Sequence, residues 1–109
     1  AVAAATTLEP ALAEQLRFTR EEERMARDLY AALALEHDGA RPMSRITTSE
    51  QRHFDQVGLL LERYGVADPS EGLEAGSYAF PELQSLYDGW LAEGSESLEA
   101  AYRVGIELE

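Results

Sequence analysis

Ser49-Glu50-Gln51-Arg52-His53-Phe54-Asp55 is the stretch on which the reading of this chain turns. Its glutamate and histidine are three residues apart, so on a helix a carboxylate oxygen and an imidazole nitrogen share one face. The pair lies inside a row at helical spacing: Ile46, Glu50, His53, Val57, Leu60 and Tyr64. An earlier row runs Leu12, Leu16, Thr19, Glu23, Ala26, Tyr30, Leu33, His37, and a later one Leu98, Tyr102, Gly105, Glu109. Steps of three and four mark the stripe a helix buries. Each stripe is mostly apolar or aromatic, and each carries a carboxylate.

Working outward, Val and Ile supply only six residues, whereas Ala, Leu, Glu and Arg dominate. Strands favour β-branched residues and helices favour this mixture, so the chain reads as all-α. Gly and Pro cluster at Gly39 to Pro42, at Gly65 to Gly76, and at Gly94. These breaks predict one domain with helices over about residues 7–38, 44–64, 81–93 and 96–109. Thr6 with Glu9 fits a capping box before Pro10. Thr19 with Glu22 fits a second, so the first helix is expected to bend or restart there. The opening Ala-Val-Ala-Ala-Ala reads either as the remnant of a removed signal peptide or as a frayed terminus, which leaves a cytoplasmic and an exported location both open. The end, Gly105-Ile106-Glu107-Leu108-Glu109, has neither a basic last turn nor a glycine cap, as if the chain stopped inside a helix or met a partner.

The chain carries 9 Lys+Arg against 21 Asp+Glu, a formal charge of −12. Phosphate backbones are bound by clustered cations, so nucleic acid is not an expected partner. There is no cysteine, which removes a disulfide scaffold, a thiolate metal site and a cysteine nucleophile. No apolar run approaches the roughly 20 residues of a membrane span. No phosphate-cradling loop or Ser-His-Asp arrangement is present.

What remains is the carboxylate in each stripe. An unpaired buried charge costs several kcal/mol, so such a group is salt-bridged, reached by solvent, or bound to a cation. Arg20, Arg24, Arg27 and Arg52 are available as partners, and the salt-bridged reading stays open. In helical bundles, however, Glu-x-x-His with a glutamate from a neighbouring helix holds iron or manganese. Glu23, Glu50 and His53 fit that pattern, each in the middle of a predicted helix. Hard oxygen donors plus one imidazole suit Fe or Mn better than Zn. His37 reads as a cation at a helix end, Tyr30 and Tyr64 as core residues with a polar tip, and Trp90 as packing or an interface anchor. Of the run Glu21 to Glu23, only Glu23 falls on a stripe; the others read as a solvated face.

Glu21-Glu22-Glu23-Arg24-Met25-Ala26-Arg27-Asp28-Leu29-Tyr30 and Ser49 to Asp55 resemble a bacterial ferritin-like family of unknown function, similar to rubrerythrin and erythrin. Later stretches agree: Leu61-Glu62-Arg63-Tyr64-Gly65, Asp68-Pro69, Leu83 to Asp88, Gly94, Ser97 and Val104-Gly105. The resemblance covers most of the chain from about Leu16 onward. It implies a ferritin-like bundle with a carboxylate-bridged di-iron site. Glu23 is the implied terminal carboxylate, Glu50 the bridging carboxylate and His53 the imidazole ligand. Glu109 is the implied glutamate of the third bundle helix, with Tyr30 hydrogen-bonded to a ligand carboxylate. Such a protein would oxidise Fe(II) with O2 or peroxide; Mn and Zn are the other metals considered.

The chain departs from that pattern in one respect. A ferritin-like bundle has four long helices, the fourth bringing a second Glu and His, and nothing here follows Glu109. One copy offers at most three Glu and one His. Either the fourth helix has been lost, or two copies complete each other's site as a homodimer or higher oligomer. The alternatives are a non-catalytic helical interaction module, or a ferritin-like scaffold whose stripe carboxylates are salt-bridged.

Overall fold

In the computed structural model, which describes residues 7–109, four helices follow in order: α1 (Pro10–Glu36), α2 (Met43–Arg63), α3 (Pro81–Gly94) and α4 (Leu98–Leu108). No strand occurs among the described residues. Helix α1 is the centre of the architecture and touches the other three.

Pro10 occupies the first turn of α1, where a missing N–H costs nothing. Thr6 lies outside the described residues, and Glu9 at the N-cap makes no side-chain capping bond. The restart expected at Thr19 is absent: α1 runs unbroken from Pro10 to Glu36. The Thr19 hydroxyl instead donates to the Gln15 carbonyl one turn back (2.9 Å), so it decorates the helix rather than capping a new one. The helix ends where Asp38 and Gly39 turn left-handed, with φ of 58° and 74°. The Gly39 N–H then closes on the Ala34 carbonyl at 2.6 Å. Helix α4 has a side-chain cap: Ser97 Oγ accepts from the Ala100 N–H at 3.0 Å.

Helix α2 lies antiparallel along one face of α1, and the α3–α4 pair covers another. The core between α1, α3 and α4 is built on Met25, Leu29, Leu33, Leu83 and Val104, all at most 1% exposed. Gly94 permits the close approach of α3, because a Cβ there would lie 2.6 Å from a Leu33 methyl. The Gly94 carbonyl accepts from His37 Nε2 at 2.7 Å, so the second histidine fastens the ends of α1 and α3. Trp90 packs at the edge of this core and donates to Glu107 at 3.0 Å.

The acidic run of α1 is not uniformly solvated. Glu21 is fully buried, where a surface position had been expected. Its carboxylate accepts from Arg24 at 2.6 and 3.2 Å and from the Ala79 N–H at 2.7 Å. Arg24 also donates to the Glu74 and Ser77 carbonyls, and the Tyr78 hydroxyl donates to Asp28 at 2.7 Å. This satisfied network straps the α2–α3 loop onto α1, and each buried charge has a partner.

Candidate metal centre

Glu23 faces α2 from the middle of α1. Glu50 and His53 face back from α2, one turn apart. The antiparallel packing brings the three together: one donor atom from each lies within 4.8 Å of the others. His53 Nδ1 is 3.3 Å from Glu23 Oε2 and 3.5 Å from Glu50 Oε2. The imidazole stands at the rim, its side chain 52% exposed, whereas Glu50 is buried.

Glu109 is not part of that tight trio, yet it reaches the same place from α4. With Glu22, Glu23 and Glu50 it lines a cleft of about 180 Å³, closed by Ala26 and Leu108. Tyr30, buried in the core, donates its hydroxyl to Glu109 Oε2 at 2.9 Å. Burial and that carboxylate push the Tyr30 phenol well above its ordinary value, so it stays a donor. Glu22 is the residue that sequence reasoning missed. It borders the cleft, and burial together with the neighbouring Glu23 charge raises its carboxyl. Its only sequence signal is adjacency to Glu23.

Four carboxylates thus converge without a guanidinium. All nine basic residues of the chain are arginine. Arg20 pairs with Asp68, Arg24 with Glu21 and Asp28, and Arg27 with Asp28. Among the described residues no arginine comes within salt-bridge distance of Glu23, Glu50 or Glu109. Two consequences are visible. Burial, a hydrogen bond with Glu23, and the charges of Glu23, Glu109 and Glu22 push Glu50 up to about 8, so without a cation it holds a proton at neutral pH. Glu23 Oε2 is buried and receives no hydrogen bond, although the His53 nitrogen is close. A cation held between the three side chains would satisfy that orphaned oxygen.

Fold and site together define a class: an all-helical chain with a carboxylate–imidazole cluster between antiparallel helices. The chain belongs to the family described as "Uncharacterized protein domain (DUF2202)", whose model matches residues 13–109. It is 36% identical over 90 residues to "Uncharacterized protein MJ0754" of Methanocaldococcus jannaschii, covering 83% of this chain and 48% of that protein. The crystal structure of hypothetical protein MJ0754 from Methanococcus jannaschii superposes with a TM-score of 0.89 at 32% identity, over 94% of this chain and 58% of that one. The chain therefore spans about half the length of the curated relative it matches.

Proposed function

We propose that this chain is a ferritin-like metal-binding protein, with iron as the preferred metal and manganese or zinc as the other candidates. The observation that carries the reading is the convergence of Glu22, Glu23, Glu50 and Glu109 on one cleft beside His53, with no arginine to neutralise them. Glu23, Glu50 and His53 would hold the metal, and Glu109 would join them from α4. The donors fit: hard carboxylate oxygens with one imidazole suit iron and manganese. Bound there as a carboxylate-bridged pair, iron would supply redox chemistry toward O2 or peroxide, with Fe(II) as substrate.

The chain's own residues have definite parts in this reading. Glu50 releases its proton when a cation enters. His53 offers Nδ1 from the rim, where a metal can arrive. Tyr30 holds Glu109 in the cleft by its hydroxyl.

A full di-metal site of this kind takes a Glu from each of two helices and a Glu-x-x-His from each of two others. One copy of α1, α2 and α4 supplies less than that. In this reading a second copy docked on the open α1–α2 seam contributes donors to the site, making a homodimer or higher oligomer. Exposed apolar side chains support this: Leu12 and Leu60, which meet at one end of the α1–α2 pair, and Ile106 on α4 are 51%, 42% and 77% exposed.

Anaerobic Fe(II) loading followed by exposure to air tests the activity. Near-ultraviolet absorbance should rise faster than with iron alone, and the rise should be lost in Glu50→Ala. No rise above the protein-free rate would favour a non-catalytic helical scaffold.

A further inference from the structure

We infer that Arg20 and Arg27 are positioning residues for the metal cluster, setting the register of α1 against α2 by gripping Phe54; the inference rests on the metal reading above. The two arginines bracket Glu23, three residues before it and four after it, on one face of α1. Both guanidiniums lie over the Phe54 ring, Arg20 Cζ at 3.4 Å and Arg27 Cζ at 4.7 Å from its centroid. Phe54 follows His53 directly and stands one turn after Glu50. Arg20 Nη1 also donates to the Phe54 carbonyl, and Arg27 Nη1 donates to Gln51 Oε1 at 3.1 Å. The turn of α2 that carries both ligands is therefore held from α1 at three places, with the α1 ligand between them.

The grip is itself supported. Asp68 accepts from Arg20 Nε and Nη2 at 3.2 and 2.9 Å, and its other oxygen accepts from the Ser70 N–H and hydroxyl at 2.9 and 2.7 Å. Gly58 supplies the space. A Cβ at that position would lie 2.6 Å from Arg20 Nη1, so a glycine in mid-helix lets the guanidinium lie flat on α2. Glycine disfavours a helix interior, and here a close approach explains it. Precision matters because a one-residue slip moves a helix by about 1.5 Å, while a bond from zinc to a carboxylate oxygen is about 2.0–2.2 Å long. A slip of that size takes Glu23 out of range of a metal held by Glu50 and His53.

Co(II) titration of the whole chain tests this, with affinity and the visible d–d spectrum as readouts. Gly58→Ala expels the Arg20 guanidinium while favouring the helix, and Arg27→Gln and Asp68→Asn loosen the grip from its other sides. Each should weaken Co(II) binding at least about tenfold and shift the spectrum, with helicity by circular dichroism unchanged. Arg17→Gln, which touches neither Phe54 nor the cluster, should bind as wild type. Wild-type affinity and spectrum in all three variants would overturn the inference alone. A wild-type chain that binds no Co(II) would overturn the metal reading and this inference with it.

Discussion

His53 Nδ1 stands 3.3 Å from Glu23 Oε2 across the α1–α2 interface, and that oxygen is buried without a hydrogen bond. The two residues are 30 positions apart in sequence and meet only because α1 and α2 run antiparallel. The arginines of α1 beside them are committed elsewhere, to Asp68, Glu21 or Asp28, and Arg52 of α2 reaches only the Ser49 hydroxyl. The cluster is left with a proton or a metal as its only means of neutralisation.

Without metal, stability should fall as pH rises from weakly acidic to alkaline. Glu50 sits at about 8 in the folded chain against 4.5 for an ordinary glutamate, so between these values the folded state holds a proton that the unfolded state has released. Its contribution is complete below about 4.5 and is lost as pH climbs through about 8. Thermal melts of chelator-treated protein across this range should show the decline, and saturating Mn(II) should flatten it. A metal-free melt that rises steadily from pH 5 to 8 would contradict the assignment.

Tyr30→Phe keeps the buried ring and removes the hydroxyl that holds Glu109 at 2.9 Å. Folding should survive with a loss of about 1 kcal/mol. Metal affinity should drop on the order of tenfold, as for other residues that orient a ligand. Isothermal titration with Mn(II) measures it; unchanged affinity would remove Glu109 from the ligand set.

Glu21→Ala should be far more damaging to the fold than its place in an acidic run suggests. It takes the close carboxylate from the buried Arg24 guanidinium, leaving only Asp28 at 3.7 Å as a charge partner, and it strands the Ala79 N–H. Breaking a buried pair costs about 3–5 kcal/mol. Urea midpoints should shift accordingly. A change of about 1 kcal/mol or less, typical of an exposed pair, would show the strap to be dispensable.

That network also shows where reading the sequence stops. Glu50, His53 and Glu23 are legible because their chemistry follows helical spacing: an i, i+3 pair, and a carboxylate on a stripe that continues through Tyr30 and Leu33. Helix termini at Gly39 and Ser97 are legible for the same local reasons. The burial of Glu21 is not, since its partner Ala79, and the Ser77 and Tyr78 that bond its neighbours Arg24 and Asp28, arrive from a loop 50 or more residues away. Thr19 misleads because a threonine hydroxyl serves equally as a cap or as a bond to the preceding turn. Leu12 keeps the stripe's spacing yet stays half exposed, because spacing tells which residues share a face and not whether anything covers it.

Self-association should follow from that open seam. Light scattering should give at least twice the 12.0 kDa chain mass, and Leu12→Glu should reduce it. A monomer at high concentration would reject a site shared between two copies and leave Glu23, Glu50, His53 and Glu109 as a single-chain cluster.

The central claim is tested most directly by metal content. Wild type and the Glu50→Ala/His53→Ala double variant, loaded with Fe(II) or Mn(II) and desalted, should differ sharply on elemental analysis. The wild type is predicted to retain metal in stoichiometric amount and the variant essentially none; equal metal in both would contradict the site.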